Sequence, residues 1–158
     1  MTTHILALPT DVVERWRSAG VDEYGNRLTP IVADRPAAFP CRHCLQDAEP
    51  GEKLLLAGHS PFAQAGPYKE VGPVFVHAEP CTRFDGDDVP QQLRRRLLAL
   101  RGYDRTQSLV DGVVVEGAAI EGALASLFAQ PEVAWVHVRF AKPGCFACRV
   151  ERAAGEQV

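Results

Sequence analysis

Two segments near the C-terminus alternate apolar and polar residues, and a Pro-Gly pair at Pro143 and Gly144 separates them. Alternation with a period of two is typical of half-buried strands, and Pro-Gly favours a turn. The pattern therefore predicts a β-hairpin formed by residues 133–140 and 145–151. A slip of one residue would exchange the two faces, so the apolar positions set the pairing. The face predicted to cover the core carries Val136, Val138, Phe140, Phe146, Cys148 and Val150.

The opposite face of this hairpin has a different chemical character. It is predicted to carry Trp135, His137, Arg139, Cys145 and Arg149. Positive neighbours make a thiol more nucleophilic, and two guanidinium groups can hold a carboxylate or phosphate through paired hydrogen bonds. This face therefore predicts a small-anion pocket or a reactive Cys145. The alternative is a solvated sheet face with incidental polar residues, since antiparallel sheets often expose one side.

Elsewhere the apolar periodicity predicts more strands than helices. Strands are predicted in residues 5–8, 54–56, 74–76 and 109–115, and helices in residues 10–17, from Pro90 onward and in 120–128, while 97–103 fits either. Three Pro/Gly-rich stretches, residues 30–50, 60–73 and 85–90, are predicted to be long surface loops. The fold class expected is α+β, a single domain over residues 1–158 with a mostly antiparallel β-sheet and two or three helices.

Composition excludes several classes of function. Apolar residues make up 46% of the 158 residues, charged residues 23%, and the net charge is -3. This mildly acidic balance argues against nucleic acid as the partner, because phosphate binders usually carry a basic excess. No apolar run is long enough to cross a membrane, and the N-terminus lacks the basic start of a signal peptide. We therefore expect a cytoplasmic protein.

The five cysteines include two CxxC motifs, at residues 41–44 and 145–148. In a reducing compartment thiols are expected to be free or to act as ligands. Cys41, Cys44, Cys145 and Cys148 together resemble a four-thiolate zinc site, in which His43, His77 or Cys81 could replace one ligand. Three features weaken this alternative: no glycine follows either motif, the motifs are far apart, and the hairpin pattern separates Cys145 from Cys148.

A redox-active dithiol and simple burial are the other interpretations of these motifs. Redox CxxC motifs follow a strand and open a helix, and the sequence around residues 41–44 predicts neither element. Cys44 and Cys148 would otherwise serve as small buried apolar residues.

Several segments together resemble a bacterial family catalogued as domain of unknown function 1203. They are residues 39–42, 47–56, 66–68, 74–76, 96–104 and the closing stretch 136–152. The resemblance covers nearly the whole chain and implies a shared fold but no activity. It also implies that Cys44 and Cys148 depart from the family pattern, so that Cys41, Arg42, Cys145 and Arg149 are the better site candidates.

Three hypotheses follow. In the first, the chain binds a small anion, or is an enzyme of unknown reaction, through the ligand-binding residues Cys41, Arg42, His77, His137, Arg139, Cys145 and Arg149. In the second, it is a zinc-stabilised structural module. In the third, it is an interaction domain without chemistry. No cofactor is expected apart from the zinc of the second hypothesis. His77 is either a proton carrier near neutral pH or a hydrogen-bonding partner of a neighbouring loop.

Overall fold

A computed structural model describes residues 2–155, which form nine strands and three α-helices. The strands are β1 Thr3–Leu6, β2 Pro30–Val32, β3 Lys53–His59, β4 Gly72–His77, β5 Asp85–Gly86, β6 Leu97–Tyr103, β7 Leu109–Glu116, β8 Trp135–Phe140 and β9 Phe146–Arg152. The helices are α1 Thr10–Ala19, α2 Gln91–Arg94 and α3 Ile120–Phe128, and a 3₁₀ turn, Gly117–Ala119, precedes α3.

The strands form two sheets, and every strand pairing within them is antiparallel. The larger sheet has the order β5-β1-β9-β8-β6-β7, so the first strand of the chain pairs with the last. The smaller sheet has the order β2-β3-β4. The predicted fold class, a single α+β domain with a mostly antiparallel sheet and two or three helices, is confirmed.

Each face of the larger sheet covers a separate apolar core. On one face α2 and α3 pack against the sheet through Leu93, Ile120, Leu124 and Phe128. On the other face lie α1 and the smaller sheet, and their buried side chains meet Phe146 of β9. The larger sheet is therefore the middle layer of the fold, and neither of its faces is generally solvated.

The apolar pattern located most of these elements. Residues 97–103, which fitted either type, form a strand, and Gly20 ends α1 in the left-handed conformation with φ 68°. Two short strands, β2 and β5, lie in stretches predicted to be loops. The prediction of a surface loop for residues 30–50 is also wrong around the first CxxC motif, because Cys41, Arg42 and His43 are at most 1% exposed.

The C-terminal hairpin departs from the predicted alternation at a β-bulge. Val136 pairs with Val150 and Val138 with Cys148 as expected, but Arg139 then pairs with Phe146. The extra residue places Phe146 on the face of His137, where the two rings lie 5.3 Å apart. Cys145 instead packs against the core that contains Cys148. The predicted faces of Phe146 and Cys145 are therefore wrong, because alternation cannot reveal an inserted residue.

None of the helices in residues 2–155 combines the length and the apolar character that crossing a membrane requires.

We predict that Gly117→Ala destabilises the fold and that Gly122→Ala stabilises it. A β-carbon at Gly117 would lie 1.9 Å from the backbone oxygen of Leu93, whereas one at Gly122, within α3, meets nothing within 4 Å. We expect a loss of about 2 kcal/mol or more for the first change and a gain of about 0.5–1 kcal/mol for the second. Urea denaturation of both variants measures these changes, and equal stability of the two would contradict the packing at Gly117.

Candidate metal centre

The first CxxC motif forms a tight turn whose backbone is fixed at both ends. The N–H of Leu45 donates to the carbonyl of Cys41 at 3.1 Å, and the N–H of Cys41 donates to Gln46 at 3.0 Å. Leu45 adopts the left-handed conformation with φ 54°, which is rare for a residue other than glycine. The backbone N–H groups of Cys44 and Gln46 donate to the sulfurs of Cys41 and Cys44. The turn therefore presents two thiols already held by amide donors.

Strand β4 brings two further ligand-type side chains to this turn. Cys41 forms a parallel bridge with Phe75, and the N–H of Arg42 donates to the Phe75 carbonyl at 2.9 Å. His77 ends β4, and Cys81 follows it in a short loop. One ligand atom from each of Cys41, Cys44, His77 and Cys81 lies within 4.8 Å of the other three.

The spacing of these four atoms resembles that of a tetrahedral site. The sulfurs of Cys41 and Cys81 are 4.0 Å apart, and the sulfur of Cys44 is 3.5 Å from Nδ1 of His77. With metal–sulfur bonds of about 2.3 Å and metal–nitrogen bonds of about 2.0 Å, tetrahedral geometry requires about 3.8 Å and about 3.5 Å. The cluster could therefore accept a metal ion with small side-chain movements.

A second set of side chains orients these ligands. Nε2 of His77 lies 3.4 Å from a carboxylate oxygen of Glu52, so the other ring nitrogen, Nδ1, faces the cluster. Nδ1 of His43 lies 3.1 Å from the sulfur of Cys81, and its Nε2 lies 2.9 Å from the Thr10 hydroxyl. Arg17 donates to the carbonyl of His77 at 3.1 Å and to Cys81 at 3.6 Å. Such contacts around the ligands fix the imidazole tautomer and offset thiolate charge.

The pKa values within the cluster diverge because its members share protons. Hydrogen bonds from Cys44 and then Cys81 lower the pKa of the Cys41 thiol far below its usual value. The hydrogen bond to Cys41 conversely raises the pKa of Cys44. Hydrogen bonds to Cys41 and Cys81 raise the pKa of His77 to about 10. Without a metal ion, the directions of these pKa shifts favour a thiolate charge shared among the sulfurs and a protonated imidazole at His77.

Comparison with protein families identifies the relatives of the chain. The model of the family described as "Protein of unknown function (DUF1203)" matches residues 38–152. The chain belongs to the DUF1203 family. All four residues of the cluster lie within the matched region of this DUF1203 chain. Comparisons with the curated proteins and with the solved structures give no match.

The cluster in the DUF1203 chain differs from the four-cysteine set predicted from the two motifs. Cys41 and Cys44 meet His77 and Cys81, both of which the sequence suggested only as substitutes. Cys145 lies instead 3.0 Å from a guanidinium nitrogen of Arg42. Cys148 is fully buried in the helix-covered core, and burial raises the pKa of its thiol to about 12. The second CxxC motif is therefore placed outside the cluster.

Arg139 and Arg149, two of the residues predicted to form an anion pocket on the hairpin, already form ion pairs with acidic side chains. Arg139 forms an ion pair with Glu70 and donates to the carbonyl of Gly144. Arg149 pairs with Glu151 and stacks on the Trp135 ring, 4.3 Å from its centroid. Ligand binding by these residues stays a prediction.

His137, another predicted ligand-binding residue, is enclosed by aromatic rings. The centroids of Phe62 and Tyr103 both lie 4.9 Å from the imidazole, and neither ring nitrogen has a hydrogen-bonding partner within residues 2–155. Burial, followed by the charges of Arg139 and Arg149, lowers the pKa of His137 to about 3. His137 is therefore a neutral core residue at physiological pH.

Sequence patterns carried no signal for most of the side chains that surround the four ligands. Glu52, Arg17 and Thr10 lie in different segments, and none belongs to a motif typical of a metal site. His43 was visible as a possible ligand, but in the structure it contacts a ligand sulfur instead.

We predict that His137→Phe removes part of the acid sensitivity of the fold. The folded-state pKa of about 3 lies below the value of about 6.5 expected after unfolding. The unfolded chain therefore binds one more proton between these values, and the free energy of unfolding falls as the pH drops below about 6.5.

In the phenylalanine variant, the free energy of unfolding should depend less steeply on pH between about pH 4 and 6. The slope should fall by up to about 1.4 kcal/mol per pH unit. Urea denaturation across this range measures the slope. Identical slopes for the variant and the original protein would show that His137 is not held neutral in the folded state.

Proposed function

We propose that this chain is a zinc-stabilised structural module, in which Cys41, Cys44, His77 and Cys81 hold one zinc ion. The observation that carries the proposal is the convergence of three sulfurs and one imidazole nitrogen within 4.8 Å. Three thiolates and one imidazole form a common ligand set for zinc, and four protein ligands leave no open position for a substrate. The site therefore supports a structural role for the metal.

The position of the cluster explains what the metal would stabilise. The segment between β2 and β3 contains the CxxC turn, which bonds to β4 through the N–H of Arg42 and the carbonyl of Phe75, and its Cys41 is fully buried. Ligands from this turn and from the end of β4 would be cross-linked by the ion. Because the ligands are not preassembled in an unfolded chain, metal-binding free energy contributes to folding.

A redox-active dithiol is less well supported by the same geometry. The CxxC turn is followed by two residues without regular structure and by Asp47, which forms an isolated bridge with Pro40, and no helix begins there. The amide donors and dipole of a helix N-terminus, which activate redox CxxC thiols, are therefore missing from this part of the described chain. A third thiol and an imidazole beside the pair fit a metal site better than a disulfide exchange site.

Metal analysis of chemically matched variants tests the proposal. Protein purified without chelators should contain about one zinc per chain, and X-ray absorption should show three sulfurs at about 2.3 Å and one nitrogen at about 2.0 Å. Cys44→Ser and Cys81→Ser should lose most of the metal, whereas Cys145→Ser should retain it. A folded protein with far less than one metal ion per chain would reject the site.

Metal removal should also lower thermal stability. A ligand that binds only the folded state stabilises it in proportion to the logarithm of its free concentration over its dissociation constant. A strong chelator should therefore lower the Tm of the original protein and of Cys145→Ser, and added zinc should restore it. Unchanged Tm after complete removal would show that the ion does not stabilise the fold.

We further predict that Glu52→Gln weakens zinc binding by about tenfold, because carboxylates that bond to ligand imidazoles typically have this effect. Glu52 lies 3.4 Å from Nε2 of His77. The matched control is Glu79→Gln, since Glu79 is exposed and lies between the ligands His77 and Cys81 in the sequence. Competition with a chromophoric chelator measures both affinities, and equal affinities for the two variants would exclude an orienting role for Glu52.

A further inference from the structure

Arg42 is a buried cation that forms no ion pair with a carboxylate of the described residues. Only 1% of its surface is exposed. Within residues 2–155 its guanidinium donates to the carbonyls of Phe146 and Pro40, at 2.8 and 2.7 Å, and to the sulfur of Cys145 at 3.0 Å. Arginine cannot lose its charge in proteins, and burying that charge with no carboxylate bonded to it is costly. This position therefore favours an anion beside it.

A cavity of about 700 Å³ lies next to this guanidinium. Much of its wall is apolar and is formed by Leu56, Pro73, Phe75, Leu97 and Phe140. This volume is within the range of about 300–1,000 Å³ typical of small-molecule sites. None of the four residues of the metal cluster lines the cavity, so it is a separate site.

The charged residues around the cavity are mostly cations. They are Arg42, Arg95, Arg96 and Lys142, against one acidic side chain, Glu116. Asp47, outside the cavity wall, forms ion pairs with Arg95 and Arg96 and neutralises part of this charge. A net positive wall remains, although the whole chain carries a net charge of -3. Charge complementarity therefore favours an anionic ligand here.

Phe140 connects the charged and apolar parts of the cavity. The guanidinium carbons of Arg42 and Arg96 lie 5.0 and 5.1 Å from the centroid of its ring. The two like charges repel each other, and an anion between or beside them would relieve that repulsion. The thiol of Cys145 also lines the cavity and is half-buried.

We propose that this cavity binds an organic carboxylate with an apolar body, its carboxylate directed toward Arg42 and Lys142 and its body against the apolar wall. The charge accounts for the head group, and the apolar residues account for the rest of the ligand. An inorganic anion would leave the apolar wall uncovered, and an uncharged hydrophobic molecule would leave the guanidinium without a counter-charge.

Titration calorimetry with three matched probes tests the proposal. Octanoate carries both chemical features, acetate carries only the charge, and octanol carries only the apolar chain. Octanoate should bind most tightly, and it should slow alkylation of Cys145 by iodoacetamide, followed by mass spectrometry. Absence of octanoate binding, or equal binding of octanoate and octanol, would overturn the proposal.

Variants locate the bound probe. Arg42→Met should weaken octanoate binding by about tenfold or more, as expected for a charge-assisted hydrogen bond. Because this buried change can also disturb folding, Lys142→Gln provides a second test at an exposed position. It should weaken octanoate binding by about twofold to fivefold, the range of an exposed ion pair.

Leu56→Glu places a negative charge at the cavity wall and should also weaken binding of octanoate. Lys69→Gln is the matched control for Lys142→Gln, because Lys69 is exposed and lies outside the cavity wall. Octanoate affinities unchanged in folded Lys142→Gln and Leu56→Glu proteins would show that the probe binds elsewhere and would overturn the proposal.

Discussion

The parallel contact between the CxxC turn and β4 determines how both proposed sites are built. Arg42 donates its N–H to Phe75, and its carbonyl accepts a 3.0 Å hydrogen bond from Leu8. The turn is thereby held from two sides, and its successive side chains leave in different directions. Cys41 reaches His77 and Cys81, whereas Arg42 reaches the carbonyl of Phe146 in β9. Without this backbone contact, neither the metal cluster nor the charged end of the cavity would form.

Local patterns predicted the architecture because strands and helices depend on local periodicity. The helix at α3 and the strands at β3 and β4 follow directly from apolar spacing. The position of Cys145 could not be predicted in this way, because a bulge has no signature in an alternating pattern. The ligand set was predicted only in part: the sequence named Cys41 and Cys44 as ligands, but His77 and Cys81 only as possible substitutes. Cys81 lies 40 residues from Cys41 in sequence, and only the pairing of the turn with β4 brings them together. The turn was also hard to predict because Leu45 adopts the left-handed conformation, for which glycine is the usual residue.

His137 and Arg42 are both buried basic side chains, but the protein accommodates them in different ways. His137 can lose its proton, so its aromatic surroundings leave it neutral and need supply no acceptor. Arg42 must stay charged, so its surroundings supply two carbonyl oxygens and a sulfur. Those acceptors satisfy hydrogen bonds, but the two carbonyl oxygens carry no full negative charge, which a bound carboxylate would supply. The difference explains why only the second residue favours an anion.

The two proposed sites use different residues of the same four-residue turn, 41–44, which has a thermodynamic consequence. A metal ion on Cys41 and Cys44 would restrict the turn to the conformation that also directs Arg42 toward the cavity. An anion beside Arg42 would restrict the same backbone from the other side. Each ligand would then reduce the conformational entropy that the other must remove on binding. Because coupling of binding free energies is reciprocal, the metal would favour the anion by the same factor as the anion favours the metal.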